Sequence, residues 1–286
     1  MNEKVFTLLP VHNRREVTRG FVDSLRSQTY TNHHLVLIDD GSTDGTAEMV
    51  REAIPRAKVI RGRGDWWWAG ALQQGLDWLK ASGAARADDI ILMINDDAVI
   101  EPDFMEKAVA ILLKTDGCVL QPRILSLDGQ RILDDGMVFH EDKLSFVPRA
   151  GIEPINCLTT NGMLVKWKDL QRIGDFHPRL LPHYLSDYEF TIRAGRRGLK
   201  LLVDPALTLK WDQENSGHRD FKGESLAGFI RKLFSRKCPM NPIYRTSFAV
   251  LVGTLWHIPR HVAVIWLDAA RMMSRHLRQA GFDRTT

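Results

Sequence analysis

Short apolar runs alternate with amphipathic stretches over the first hundred residues. The run at 5–9 stops at Pro10, and the stretch after it places Val17, Phe21, Val22 and Leu25 at helical spacing. The cycle recurs with an apolar run at 35–38, a loop rich in Gly, Ser, Thr and Asp, and a helix near 43–54, then with a run at 58–60 and a helix near 69–82. A fourth run, 90–94, leads straight into Asn95-Asp96-Asp97, with Pro102 as the first residue of the next helix. This alternation predicts an α/β fold with a mainly parallel sheet covered by helices on both faces. Such sheets bind ligands beyond the carboxyl ends of their strands, so the loops at 10–14, 39–46, 61–68 and 95–97 should converge.

From about residue 119 the rhythm changes to short strands with turn signals at Asp128-Gly129 and Asp135-Gly136, which predicts an antiparallel hairpin region. A helix near 186–197 carries Asp187 and Glu189 at its start, and a strand near 199–209 belongs to the same part of the chain. The last third mixes Phe, Leu, Ile, Val and Trp with Arg and Lys at 224–235 and 243–276, without an uncharged stretch long enough to span a bilayer. A pair of amphipathic surface helices is expected there. The predicted organisation is a domain over 1–220, with halves 1–118 and 119–220, followed by a helical extension over 221–286.

Composition adds only exclusions. A hydrophobic share of 44% and a charged share of 26% rule out a disordered, collagen-like or disulfide-scaffold chain. Cys118, Cys157 and Cys238 are scattered and form no CxxC pair, which points to a reducing compartment. The N-terminus lacks a basic region followed by a long apolar stretch, which argues against an export signal. Charge does alter the picture. Residues 221–286 hold eleven Lys and Arg against three Asp and Glu, so a net +4 for the whole chain divides into +8 there and −4 over 1–220. A basic, aromatic-rich helical face suits the interfacial plane of an anionic membrane, or equally packing on the domain beside it. No nucleic-acid partner is expected.

Candidate chemistry gathers at the strand ends. Asp39-Asp40-Gly41-Ser42 closes a buried strand with two adjacent carboxylates that must point in opposite directions. One of them can accept an imide N–H of a pyrimidine or a ribose hydroxyl; the alternative is a solvated acid pair with helix capping by Ser42 or Thr43. Asn95-Asp96-Asp97 should lie at the same sheet edge, where a hard cation such as Mg²⁺ or Mn²⁺ takes one or two carboxylates plus substrate phosphates; the alternative is an Asx-type turn. Asp187 at a helix start suits a general base, or an N-terminal cap. Trp66, Trp67 and Trp68 cannot all be buried on one helix face, so at least one should wall a ligand site. Asp212 and His218 follow the last strand as further metal or diphosphate contacts, with a solvated loop histidine as the bland alternative.

As a set, these residues resemble the family-2 glycosyltransferases with the GT-A fold, over roughly residues 4–215. The resemblance rests on Leu9-Pro10-Val11-His12-Asn13, Asp39-Asp40-Gly41-Ser42-Thr43-Asp44-Gly45-Thr46, the Gly/Trp segment 63–75, Asn95-Asp96-Asp97 and Ser186-Asp187-Tyr188-Glu189. It implies that Pro10, Val11 and Asp39 line a nucleoside pocket with Asp40 nearby, and that His12, Asn13, Arg63, Asp65, Trp67, Trp68, Asn95 and Asp96 complete the nucleotide-sugar site. Asp97 would hold the metal, aided by Asp212 and His218, Asp187 would be the base, and Tyr188, Glu189, Asn161 and Gly162 would form the acceptor side. The Trp segment is similar to that of rhamnosyl and galactosyl transferases of bacterial surface polysaccharides. That implies a UDP- or dTDP-sugar donor, a lipid-linked or growing glycan acceptor, inversion at the anomeric carbon, and a cytoplasmic enzyme peripheral on the inner membrane face. The chain departs from the family pattern with Asn95 in place of a first Asp, Ser186 in place of Glu, and Trp211 where a His is common.

Among other classes, a dinucleotide-dependent dehydrogenase lacks its GxGxxG after the first strand. A nucleotidyltransferase lacks a Gly-rich basic loop. A catalytically silent nucleotide-binding module on a membrane surface is the non-enzyme alternative.

Overall fold

The structure, a computed structural model, describes residues 2–151, 153–212 and 225–282. The four apolar runs form β1 (Val5–Val11), β2 (His33–Asp39), β3 (Lys58–Arg61) and β4 (Ile90–Met93). They pair in parallel in the order β3-β2-β1-β4. Side chains alternate across the sheet with period two, so each strand feeds two cores. Val5, Leu9, Leu35 and Leu37 pack with α1 (Arg15–Arg26), α2 (Thr46–Ala53) and α4 (Phe104–Lys114) on one face. Phe6, Leu8, Val36 and Ile38 pack with α3 (Trp67–Ser82), α5 (Trp167–Ile173) and α6 (Ser186–Arg196) on the other. The α/β architecture, with helices on both faces of the sheet, is what the alternation implied.

Beyond β4 the sheet is mixed. β5 (Ala98–Val99), β6 (Cys118–Ser126), β10 (Met163–Lys166) and β11 (Lys200–Trp211) continue it in the order β4-β10-β6-β11-β5. β10 is antiparallel to both neighbours, while β11 runs parallel to β6. The hairpin expectation needs correction in part. Asp128-Gly129 does connect β6 to its antiparallel partner β7 (Ile132–Asp134), but Asp135-Gly136 separates β7 from β8 (Met137–His140), which belongs to a different sheet. The small antiparallel sheet is β8 with β9 (Ser145–Pro148).

Three further departures have local causes. Pro102 precedes its helix rather than opening it, because the Phe104 N–H closes a turn on the Glu101 carbonyl. The third helix begins at Trp67, in a left-handed conformation (φ 59°), rather than near 69. The C-terminal region holds three helices instead of a pair: α7 (Leu226–Leu233), α8 (Pro242–Val252) and α9 (Ile258–Phe282). Gly253 adopts extended backbone and breaks the long segment at a point where a Cβ would run into the Ala249 carbonyl. Helix α8 buries Phe248, Ala249 and Val252. No helix among the described residues is long and apolar enough to cross a membrane.

Candidate active site

The loops after β1, β2 and β3 meet at the carboxyl edge of the sheet through side-chain to backbone bonds. Asn13, held at φ 52°, receives the Thr43 N–H on Oδ1 (2.8 Å) and donates its own N–H to Ser42 Oγ (2.9 Å). His12 Nδ1 lies 2.6 Å from the Asp40 carbonyl. Asp39 Oδ1 accepts the Ser42 N–H at 2.8 Å, an Asx turn that leads the chain out of β2. Gly41 needs its freedom twice over, because it sits at φ 76° and a Cβ would come within 2.7 Å of the Gly64 nitrogen.

Asp40 is fully engaged. Its carboxylate accepts the N–H groups of Gly64 (2.8 Å), Trp66 (2.9 Å) and Trp67 (3.2 Å), and so fixes the course of the 62–67 loop. Trp66 and Trp68 pack against the second core, and the Trp68 indole N–H donates to Thr160 Oγ1 at 3.0 Å. Trp67 stands edge-on to His183 (6.1 Å between centroids) with the Lys237 ammonium 5.5 Å from its ring. Arg63 and Asp65 are exposed at the loop tip, where the Arg236 guanidinium donates to the Asp65 carbonyl. Val11 turns its side chain into the core (4% exposed), so of the β1 pair only partly exposed Pro10 presents a side chain above it.

The second acidic loop is buried and held by a cation. Arg14 Nε spans both oxygens of Asp96 (2.9 and 3.0 Å), Thr18 Oγ1 donates to Asp96 Oδ2 (2.8 Å), and Arg14 Nη2 reaches Asp97 Oδ2 at 3.5 Å. Burial raises the pKa of Asp96 against the opposing pull of Arg14. Burial, then the adjacent Asp96 charge, raises that of Asp97, with Arg14 opposing. Arg14→Met should therefore leave Asp96 a buried charge supported by Thr18 alone. The expected loss is about 2–3 kcal/mol in denaturant unfolding at neutral pH, below the figure for a wholly buried pair because Arg14 is itself part-exposed.

Asp187 lies in the first turn of α6, with Oδ1 accepting the Tyr188 N–H at 2.9 Å. Part of the residue remains open to solvent, yet protein encloses the carboxyl. Its pKa is pushed up to about 6, chiefly by burial, with a smaller contribution from the negative charge of Asp134. The N–H groups of Tyr188 and Thr160 oppose the rise. Asp134 is itself raised by burial; it accepts the Gly136 N–H (2.8 Å) and the Thr159 hydroxyl (3.1 Å). His183 is pushed down to about 4 by burial and the nearby Lys237.

These groups share one rim. Thr160 joins the Trp68 indole to the neighbourhood of Asp187. The Gly162 N–H bonds the Met93 carbonyl at 3.0 Å, which places 160–162 beside the strand that delivers Asn95 to Asp97. The Asp212 N–H bonds the Asp97 carbonyl at 3.0 Å. Glu189 is not on this rim. It lies two residues beyond Asp187, roughly 200° around the helix, and is buried in an ion pair with Arg193 (2.7 Å). Tyr188 packs at a tilt of 34° against Phe146, with 4.3 Å between ring centroids. His218 lies outside the described residues.

Unpaired polar atoms concentrate here. Among the described residues twelve buried side-chain polar atoms lack a partner at good hydrogen-bond geometry, and half of them belong to Asn95, Asp97, Gln121, Asn161, His183 and Trp211, with the Trp211 indole still close enough to favour the charged Asp97 and the Gln121 amide the charged Asp134. A buried unpaired group costs about 1–3 kcal/mol, so this excess makes the rim the candidate site for a ligand. A cavity of about 520 Å³ elsewhere, lined by Thr115, Asn156 and Lys200 among others, contains none of these residues. For a divalent cation the donor set is lean. No group of three or more His, Cys, Asp and Glu comes together among the described residues. Asp97 Oδ1, buried with only a poorly aligned approach from the Trp211 indole, nevertheless fits a hard ion that takes one carboxylate here and its other oxygens from a substrate diphosphate.

Residues 7–155 match the model of the family described as glycosyl transferase family 2. The chain belongs to that family. It is 32% identical over 118 residues to EpsH of Bacillus subtilis (strain 168), assigned as a glycosyltransferase, a match that covers 40% of this chain and 30% of EpsH. Against EpsE of the same organism the identity is 30% over 115 residues, 39% of each chain. The match thus spans well under half of each of these curated relatives. The GT-A fold is shared with S. aureus TarS in complex with UDP-GlcNAc (TM-score 0.59, 16% identity, 87% of this chain and 71% of that one). It is also shared with the mannosyltransferase PcManGT of Pyrobaculum calidifontis in complex with GDP-Man and Mn²⁺ (TM-score 0.55, 18% identity, 100% and 81%).

Several residues of the family-2 enzyme's rim were not legible as such in the sequence. Arg14 read only as the end of the converging 10–14 loop, Thr18 as part of the helix after it, and Gln121 as a strand residue. Asp134 escapes notice beside the Asp135-Gly136 turn signal, since nothing local marks it as enclosed. His183 and Lys237 lie in segments without a motif.

Proposed function

We propose that the enzyme transfers a sugar, with inversion, from a UDP- or dTDP-sugar to a lipid-linked or growing acceptor of a bacterial surface glycan, with rhamnosyl or galactosyl transfer as the closest fit. Residues 1–118 would serve the donor, 119–220 the acceptor and 221–286 the membrane, with the protein cytoplasmic and peripheral on the inner face. The observation that carries this reading is Asp187, a carboxyl enclosed enough to hold its proton up to about pH 6 and placed on the same rim as Asp97. Neighbours of the same fold that bind UDP-GlcNAc or GDP-Man with Mn²⁺ support a nucleotide-sugar donor and a divalent ion.

In the proposed reaction the Asp187 carboxylate takes the proton of an acceptor hydroxyl. That oxygen forms a bond to the anomeric carbon while the bond from the carbon to the diphosphate oxygen breaks, and the electron pair leaves with the nucleoside diphosphate. A divalent cation at Asp97 would supply charge neutralisation of the departing diphosphate. Asp39 and the loop held by Asp40 would seat the base and ribose, and Asn95 and Asn161 would offer their unpaired carbonyl oxygens to donor or acceptor hydroxyls.

A base must be ionised, so kcat should rise with pH through about 6 and level off above it. A profile flat between pH 5 and 8, with each buffer checked for stability, would remove Asp187 from the role. Removal of divalent ions with a chelator should abolish transfer and the thermal shift given by UDP, and Mn²⁺ should restore both. A product with retained anomeric configuration, read by NMR, contradicts the scheme.

A further inference from the structure

Between α8 and α9 the chain turns outward. Leu255 and Trp256 are 84% and 92% exposed, more than any other large apolar side chain among the described residues. The tip is nevertheless built. Glu141, in the short turn between β8 and β9, accepts the Thr254 N–H at 2.6 Å and lies 3.6 Å from His257 Nδ1. Arg196, the last residue of α6, pairs with Glu141 Oε2 at 2.9 Å and also donates to the Val252 carbonyl. Behind it, Phe248 of α8 packs edge-on to Phe139 and against Phe146, the ring that also stacks on Tyr188. A charged clasp and an aromatic platform therefore hold two large apolar side chains out in water.

The surface beside the tip continues the pattern. Val264 and Leu267 of α9 are exposed and share one helix face with Arg260 and Arg271, at i, i+4, i+7 and i+11. Helix α9 carries four arginines against one acid, Asp268, which Arg271 engages at 3.3 Å. Single exposed apolar residues are ordinary. An ordered Trp tip continued by an apolar and arginine face, in a segment of net charge +8, is the composition of a surface that sits in an anionic lipid interface.

We propose that the Leu255-Trp256 tip is a wedge that enters the headgroup and upper acyl region of an anionic bilayer, with Arg260 and Arg271 among the lipid phosphates. A second copy of the chain fits this face less well, because a two-fold contact would set arginines against arginines without acids to answer them. The inference deepens the reading of a lipid-linked acceptor and rests on it: from Asp187 to Arg196 the α6 axis covers about 14 Å, so the clasp ties the candidate base to the membrane seat through one rigid helix.

The test is co-sedimentation of the full chain with vesicles of phosphatidylcholine alone or of equal parts phosphatidylcholine and phosphatidylglycerol. Wild type should bind the anionic vesicles. L255S/W256S should bind them at least about ten-fold more weakly, and R260Q/R271Q should lose the preference for anionic over neutral lipid. Both variants should keep the wild-type melting temperature, since none of the four side chains is buried. A wild type that stays in the supernatant overturns the proposal, and so does a double variant that sediments like wild type. A wild-type dimer dissociated by L255S/W256S would assign the tip to a second copy and overturn it equally. Thermal shift with UDP and Mn²⁺ on the same samples keeps the two readings apart: vesicle binding without a nucleotide response sinks the donor reading and leaves the wedge standing.

Discussion

Asp187→Asn is expected to lower turnover by about 10³-fold while leaving UDP binding unchanged, and to make the protein more stable at pH 7.5. The first effect follows from the proposed role, since a positioned general base contributes about 10²–10⁴-fold. The second follows from linkage. Because the native carboxyl holds its proton up to about pH 6, against about 3.9 in an unfolded chain, the native state binds protons more tightly. The sign is that of a cost which is absent below pH ~4, grows as pH rises through ~6, and is complete above it. About two pKa units at ~1.4 kcal/mol each gives a cost near 2–3 kcal/mol at neutral pH. An amide keeps the Tyr188 N–H bond and removes the ionisation. Urea unfolding of the two proteins at pH 4 and 7.5 therefore reads out the role: a stability gain confined to the higher pH, together with lost turnover, is the signature of a strained functional group. Equal stability at both values, with turnover intact, would leave Asp187 a plain helix-start acid.

How far the chain discloses its structure depends on what each residue was selected to satisfy. The runs at 5–9, 35–38 and 90–94 are apolar on both faces because the strands they form are covered on both faces, so their pattern alone fixes a parallel sheet flanked by helices. The carboxyl-edge loops follow from that. The half after residue 119 is less legible, because β10 pairs across more than forty intervening residues with β6 and more than sixty with β4, and no local pattern encodes such a register. The break at Gly253 is likewise invisible to periodicity: the sequence on either side of it remains amphipathic. At the site, sequence reasoning finds the acids but cannot tell which of them are free. Glu189 carries the right chemistry beside Asp187, yet helix geometry turns it towards Arg193. The Asp134 carboxylate is partly enclosed at the end of β7 against β6 and Thr159, neither of which marks it in advance.

Asp40 gives the sharpest case of an acid whose work differs from its apparent one. The substitution Asp40→Ala is expected to abolish detectable donor binding and to lower stability by about 3 kcal/mol, because the Asp40 carboxylate is taken up by the protein's own backbone. Three backbone N–H groups, from Gly64, Trp66 and Trp67, converge on it. Charge-assisted bonds of this kind are worth more than neutral ones, and each donor left unpaired in a part-buried setting costs about 1–3 kcal/mol unless water reaches it. The loop that these bonds hold is tight at two places. A Cβ on Gly62 would come within 2.6 Å of Asp40 Oδ1, and Trp67 sits at a positive φ that a free tryptophan avoids. Without the carboxylate nothing offsets the strain at Trp67, and the ring should leave its place beside His183 and Lys237. Asp40→Asn discriminates between positioning and contact. The Asn oxygen can still accept from one or two of the three donors, while its NH₂ group opposes the remainder, so the variant should melt between wild type and alanine and bind UDP with reduced affinity. If instead Asp40→Asn melted like wild type and lost only nucleotide binding, Asp40 would be a ligand contact after all and the loop would owe its course to something else.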